Sequence, residues 1–358
     1  MNPAATWARP ALLPFSWVYR AGVALRNQAF ESGLLSVTRI GVPVISVGNI
    51  VAGGVGKTPL VRHIAECCTR KGWKVGVVSR GYKRRTTGVV EVSRGQGPMV
   101  GPDLAGDEAV QIASSLPELF VVVAEKRVEA ALRAVALGAE VVIADDGYQH
   151  RYLGRDLNIL VLDARSDLTR EWLLPAGALR EPLASVPRAD VVAFSHADGD
   201  EAPAWAEMLP GLGGTPLVGF RFRPLPPRDG LRGETVGGDP IHTGKVLAFS
   251  GIGNHKRFIE TLRTAGYAVG ADLRFPDHHT YSGEDLRRIG ALMMESGCGC
   301  CVTTEKDMAR IDRKSPEAVA FLKERNVLYI PVAIEFTRGE SLFHRKIDEC
   351  LNKQSQRE

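Results

Sequence analysis

The sequence predicts an α/β protein: a mostly parallel sheet with helices on both faces, a smaller C-terminal α/β lobe, and an N-terminal amphipathic helix. Three observations predict it. Apolar runs recur at 42–47, 74–79, 119–124, 140–144, 157–162, 190–194 and 216–220, and helical stretches at 59–71, 106–116 and 126–137 separate the first several. That rhythm buries each strand between helical layers. A proline- and glycine-rich stretch at 223–243 interrupts it, and a second α/β unit begins at Lys245-Val246-Leu247-Ala248-Phe249-Ser250-Gly251. Residues 1–38 follow neither pattern, because Trp7, Phe15, Trp17 and Tyr19 are interleaved with Arg9, Arg20 and Arg26. The expected division is therefore an N-terminal helical segment at 1–38, a core at 39–222, a linker at 223–243, a C-terminal lobe at 244–352 and a polar tail at 353–358.

The 358 residues leave room for two such lobes, and 44% hydrophobic with 24% charged residues suits a globular chain with a core. A net charge of +4 is too mild for a dedicated nucleic-acid binder and compatible with anionic substrates or an anionic membrane surface. The six cysteines, at 67, 68, 298, 300, 301 and 350, are adjacent or clustered, unlike a secreted disulfide framework, so a reducing compartment is expected. Cys298, Cys300 and Cys301 lead into Val302-Thr303-Thr304 and read as a buried strand before a metal site. The longest uncharged run near the N-terminus, Pro10 to Tyr19, is too short to span a bilayer. Aromatics beside arginines suit a helix lying in a membrane interface as well as one packed on the core.

The first strand, 42–47, feeds Gly48-Asn49-Ile50-Val51-Ala52-Gly53-Gly54-Val55-Gly56-Lys57-Thr58-Pro59, and a helical pattern follows with Leu60, Val61 and Ile64 on one face. Strand, glycine loop and helix N-terminus in that order form a phosphate cradle, which makes the expected fold P-loop NTPase-like. Gly53, Gly54, Val55 and Gly56 would present backbone N–H groups. Lys57 would reach the β- and γ-phosphates, and Thr58 would offer its hydroxyl to Mg²⁺. Val51 stands where the usual pattern has its first glycine, so Gly53 and Gly54 must make the bend.

The run at 140–144 ends in Asp145-Asp146-Gly147, two carboxylates where a nucleotide enzyme holds Mg²⁺. Gly106-Asp107-Glu108 opens a helix; Asp107 is a cap, or a base if an alcohol is the acceptor. In Phe275-Pro276-Asp277-His278-His279, a loop histidine can orient a catalytic carboxylate or simply face solvent. Arg80, Arg127, Arg151 and Arg180 follow strand ends and turns, where guanidinium groups pair with phosphates. Thr304-Glu305-Lys306-Asp307 is placed for an inter-lobe or nucleotide contact.

In order, Val44-Ile45-Ser46-Val47-Gly48-Asn49-Ile50 through Gly56-Lys57-Thr58-Pro59, Ser79-Arg80-Gly81-Tyr82, Gly106-Asp107-Glu108, Asp145-Asp146-Gly147-Tyr148-Gln149-His150, Leu174-Pro175-Ala176-Gly177, Leu179-Arg180-Glu181-Pro182, Phe275-Pro276-Asp277-His278-His279 and Thr304-Glu305-Lys306-Asp307 resemble the tetraacyldisaccharide 4′-kinase family over about Leu12 to Phe336. The resemblance implies transfer of the γ-phosphoryl of ATP·Mg²⁺ to the 4′-hydroxyl of the lipid A disaccharide 1-phosphate precursor. It also implies peripheral docking on the cytoplasmic face of the bacterial inner membrane through the first helix. By the same resemblance Asp107 is the base, His278 its partner, Lys57 and Thr58 the P-loop pair, Asp145 and Asp146 metal- and nucleotide-side acids, and Glu181 a substrate-side residue. Ala109 and Tyr148 depart from proline and phenylalanine common in relatives. No nucleic acid and no obligate protein partner is implied.

Rival readings are a P-loop switch or partitioning ATPase and a kinase or ligase of a small soluble metabolite. Ala52 stands where partitioning ATPases often carry a first lysine, and an Asn-Lys-x-Asp guanine-reading motif is missing from the sequence. The aromatic, arginine-flanked N-terminus argues against a soluble acceptor.

Overall fold

The computed structural model describes residues 9–237, 244–313 and 315–352. The first part of the chain runs α1 (Arg9–Glu31), β1 (Val44–Gly48), α2 (Lys57–Arg70), β2 (Val75–Ser79), β3 (Val90–Arg94), α3 (Pro102–Ala105), α4 (Asp107–Ser115), β4 (Phe120–Val123) and α5 (Arg127–Ala136). β5 (Val141–Asp145), β6 (Leu157–Asp163), β7 (Val191–Ser195) and β8 (Leu217–Pro224) follow. The second part comprises β9 (Arg228–Asp229), β10 (Lys245–Ser250), α6 (His255–Thr264), β11 (Ala268–Arg274), α7 (Gly283–Glu295), β12 (Cys300–Thr304), α8 (Glu305–Met308), α9 (Pro316–Glu324) and β13 (Val327–Ile330). The chain closes with β14 (Val332–Arg338) and α10 (Glu340–Asn352).

Nine strands form the large sheet in the order β14-β8-β7-β6-β1-β5-β2-β4-β3. Only its edges, β14 on β8 and β3 on β4, are antiparallel. The central strands β1, β2, β5 and β7 are buried throughout, as strands covered on both faces must be. One face carries Leu60, Val61 and Ile64 of α2 with Ile112 of α4; the other carries Ala130, Ala131 and Ala134 of α5. The small sheet, β11-β10-β12-β13-β9, is parallel except at β9. Cys300 and Cys301 lie buried within its β12, in the strand expected there.

Two expected boundaries change. The run at 327–333 is not one strand, because Pro331, without an N–H, separates β13 in the small sheet from β14 in the large one. The C-terminal lobe therefore does not extend over 244–352. Residues from Val332 onward return to the first sheet, where Val332 pairs with Pro224, and α10 buries Phe343, Ile347, Cys350 and Leu351 in the first core. Nor is 223–243 wholly linker: its start completes β8, and Arg228–Asp229 pairs with β13. The edge strand β3 is absent from the sequence reading, since its short, partly exposed run carries little apolar signal.

α1 lies on the first lobe. Its buried side presents Ser16, Val23 and Phe30, while Phe15, Trp17, Val18 and Leu25 stay largely exposed. No helix among the described residues is long and apolar enough to cross a membrane.

Candidate active site

β1 delivers the chain to a loop whose backbone only glycine adopts comfortably. Gly53 has φ 121° and Gly56 φ 81°, and Gly56 caps α2 in the left-handed region. A Cβ on Gly56 would also run into the Phe222 ring. Lys57 and Thr58 are thus the first two residues of α2, at the positive end of its dipole. Val55 turns inward and packs in the core, so its part in the cradle is limited to its backbone.

β5 lies beside β1 in parallel register, with Val47 opposite Asp145, which sets the two carboxylates next to the glycine loop. Their environments differ. Asp146, at φ 51°, accepts from Arg180 at 2.9 Å and pairs with Lys57 Nζ at 3.2 Å. Burial works to raise the Asp146 carboxyl, but Lys57 and Arg180 outweigh it and hold the group below its usual range. Asp145 is buried, and its Oδ1 has no hydrogen-bond partner among the described residues. Burial and the nearby charge of Glu108 push its carboxyl up to about 7, against the pull of Lys57. An orphaned carboxylate oxygen beside a P-loop suits a hard divalent cation; the donor set of Thr58 and Asp145 fits Mg²⁺.

Asp107 opens α4, where its Oδ1 accepts from the Glu108 N–H at 3.0 Å. Its Oδ2 faces the second lobe. His278 Nδ1 lies 2.9 Å away, Arg310 Nε 2.8 Å and Arg310 Nη2 2.7 Å. Burial works to raise the Asp107 carboxyl, but the His278 hydrogen bond and the charges of Arg310 and Lys306 overcome it and hold the group well below the usual carboxylate range. His278 adopts φ 63°, with the edge of Tyr82 against its ring. The two histidines separate in role: His279 stacks on Phe275 and binds Asp285 at 3.0 Å, inside the second lobe.

Sequence reasoning missed Arg310, which is only 3% exposed. Its Nη1 donates to the Gly251 carbonyl at 2.7 Å and to Asp307 at 3.2 Å. Asp307, fully buried, also accepts from Gly251 N–H, Tyr281 and Thr304, and so fixes the guanidinium from behind. The signal available was the Asp307–Arg310 spacing of three on one turn, adjoining an already noted motif. That motif makes the inter-lobe contact: Glu305 accepts from Arg62 at 2.7 Å and Gln111 at 3.1 Å, and Lys306 meets Glu108 at 3.4 Å.

The other expected residues scatter. Arg80 is exposed. Arg127 is buried and donates to the Ala124 and Glu125 carbonyls. Arg151 lies over the Phe30 ring and donates to the Asn27 carbonyl, clamping α1. Glu181 is fully buried under the same helix, accepting from Arg188 at 2.6 Å and Asn27 at 3.2 Å, with Arg26 at 3.6 Å. Arg180 is held at Asp146, and Tyr19 donates to its carbonyl.

A glycine loop between a central parallel strand and its helix, with acids on the neighbouring strand, defines the class: a P-loop nucleotide-phosphate-binding α/β protein. The comparisons narrow it. A family model described as Tetraacyldisaccharide-1-P 4′-kinase (LpxK) matches residues 8–352. A tetraacyldisaccharide 4′-kinase from Anaeromyxobacter sp. (strain K) is 35% identical over 355 residues, covering 98% of this chain and 93% of the relative. Another from Chlorobaculum tepidum is 36% identical over 348 residues, covering 96% and 97%. The crystal structure of an "apo" form of LpxK from Aquifex aeolicus in complex with ATP matches with a TM-score of 0.78 at 34% identity, over 96% of this chain and 99% of that one. The chain belongs to the tetraacyldisaccharide 4′-kinase family and is a kinase.

Proposed function

We propose that the chain transfers the γ-phosphoryl group of ATP to the 4′-hydroxyl of a tetraacyl-glucosamine disaccharide 1-phosphate, with Asp107 as the base. The observation that carries this reading is the assembly of Asp107, His278 and Arg310 across the lobe junction, while adjacent Glu108 is close enough to influence Asp145 beside the P-loop. In this reading the phosphate cradle and the base share one cleft.

On ATP binding, Lys57 would exchange Asp146 for the β- and γ-phosphates, and the loop N–H groups would cradle the anion. Thr58 and Asp145 would hold Mg²⁺, with Asp146 kept by Arg180; bound there, the cation would neutralise charge on the phosphates. Arg310 and His278 keep Asp107 ionised and oriented. As the bond from the 4′-oxygen to phosphorus forms and the bond to the ADP oxygen breaks, Asp107 takes the hydroxyl proton. Closure of the lobes over the substrates would limit water at the site and favour transfer over hydrolysis.

The acceptor carries acyl chains, and α1 supplies a matching surface. Phe15, Trp17, Val18 and Leu25 stay exposed while Val23 and Phe30 are buried, so the helix can dock in the interface of the inner membrane's cytoplasmic leaflet. In this reading Glu181 and Arg151 act by anchoring α1, and exposed Arg80 remains for an acceptor phosphate.

The test is label transfer from γ-phosphate-labelled ATP to detergent-dispersed disaccharide 1-phosphate, with Asp107→Ala and Lys57→Ala. Label entering lipid in the wild type and lost in both variants is the expected result. Full transfer by Asp107→Ala would remove it from the base role, and ATP hydrolysis without lipid label would point to another acceptor.

A further inference from the structure

His63, Cys67 and His344 form a cluster with no part in the phosphoryl-transfer site. His63 and Cys67 are four residues apart on α2 and share one face. His344 comes from α10, the helix by which the chain returns to the first lobe. Cys67 Sγ lies 3.5 Å from His63 Nε2 and 3.9 Å from His344 Nδ1, and the three donor atoms are all within 4.8 Å of one another. Zinc bonds of about 2.3 Å to sulfur and about 2.0–2.1 Å to nitrogen, at a tetrahedral angle, place a sulfur and a nitrogen about 3.5 Å apart. The spacing from Cys67 to His63, 3.5 Å, matches that geometry, and the spacing to His344, 3.9 Å, is close enough for a small side-chain shift to complete it.

A second observation points the same way. His344 turns its other nitrogen, Nε2, toward the Glu340 carboxylate at 3.7 Å. A carboxylate near the far nitrogen favours the tautomer whose Nδ1 can bind metal. The rings are also held: His63 packs edge-on against Phe336 at 5.4 Å and tilts against His344 at 5.4 Å. Cys67 is buried but not sealed, because His63 and His344 are both partly exposed.

We propose that His63, Cys67 and His344 bind a zinc-class divalent cation that ties α10 to α2. Two imidazoles and one thiolate are borderline-soft donors that favour Zn²⁺ over Mg²⁺. Binding displaces the Cys67 thiol proton to solvent and leaves a fourth position for water. The charged groups around the cluster are Arg62, Arg70, Lys71, Glu66, Glu340 and Asp348. Arg62 is engaged by Glu66 and Glu305, and Lys71 by Asp348. Arg70, 3.3 Å from Cys67 Sγ, is an exposed side chain that can swing into solvent when the cation enters. Cys67 lies ten residues after Lys57 on α2, roughly 15 Å along the axis, so this site is separate from the P-loop.

The experiment uses the full chain, purified with chelator and reductant and titrated with Co²⁺. The expected result is one equivalent of Co²⁺ giving a thiolate-to-cobalt charge-transfer band and four-coordinate visible bands, displaced by one equivalent of Zn²⁺ and not by excess Mg²⁺. Both features should vanish in Cys67→Ser and in His344→Gln; the latter changes a partly exposed residue, so it decides the matter if the former does not fold. Zn²⁺ should also raise the Tm of the wild type and not of His344→Gln. No thiolate band in the wild type, or a band that survives in His344→Gln, would overturn the proposal.

Discussion

Replacing Arg310 by alanine removes the cation from a nearly dry cluster. The Arg310 side chain is 3% exposed, Asp107 11% and Asp307 0%. Removing one partner of such a pair leaves uncompensated buried charge and costs about 3–5 kcal/mol. For a chain of this size that is roughly a 4–7 °C fall in Tm. A pH effect accompanies it. In the wild type the Asp107 carboxyl is held below its ordinary 3.8, so its contribution to stability is fully present above that value and is lost as pH falls through the lower folded value. Without Arg310, burial faces only His278 and Lys306, the carboxyl rises, and Asp107 begins to protonate at higher pH. The kcat of Arg310→Ala should therefore fall on the acid side, where the wild type is flat with respect to this group. Arg310→Lys restores charge without the planar fork and should recover part of the profile. The assay is kcat for label transfer across the acidic and neutral range, alongside thermal unfolding. If Arg310→Ala matched wild type in stability and acid-side profile, the assignment of Arg310 to holding Asp107 ionised would be wrong.

Three further outcomes are expected. Asp145→Asn removes a buried carboxylate whose Oδ1 has no partner among the described residues, so it should stabilise the metal-free protein by about 1–2 kcal/mol in thermal unfolding while raising the Mg²⁺ needed for half-maximal activity. Glu181→Ala leaves Arg188 beneath α1 and Arg26 on α1 without their shared anion, at about 3–5 kcal/mol, and should expose α1 to limited proteolysis before the rest of the chain. Replacing Phe15 and Leu25 by serine, at 64% and 70% exposure, should leave Tm almost unchanged but weaken sedimentation with anionic vesicles by about 2–4 kcal/mol, roughly thirty- to several-hundred-fold. Unaltered vesicle binding would detach α1 from the membrane.

The central architecture was legible because buried parallel strands and their helices write strong local patterns. β1, β5 and the glycine loop all fall within two residues of their expected places. The return of the chain was not legible. Nothing in the alternation of Val332–Arg338 says which sheet it joins; only tertiary pairing with Arg221, Phe222 and Arg223 decides that. The candidate site divides similarly. Asp107 and His278 were named from motifs, and the structure brings them to hydrogen-bonding distance across 171 residues of chain. Arg310 lacked any phosphate-type context, because its partner Asp107 lies on another lobe. Arg151 and Glu181 illustrate the converse. Charged residues beside an active-site motif read as ligand-binding, yet their partners are the underside of α1.

The return of β14 bears on how the cleft works. The second lobe leaves the large sheet after Pro224 and re-enters it at Val332, and these two residues are paired neighbours. The lobe is thus held by two strands at one point, a geometry that permits swinging about that point and resists sliding. The contacts across the cleft are largely polar: Arg62 and Gln111 on Glu305, Lys306 on Glu108, and Arg310 and His278 on Asp107. Such an interface separates more readily than an apolar one, since water replaces its hydrogen bonds. Any opening also withdraws Arg310 and His278 from Asp107, exchanging their charge and hydrogen bond for solvent. If Asp107 is the base proposed above, it would be fully formed only when the lobes meet, and its readiness would be coupled to their closure.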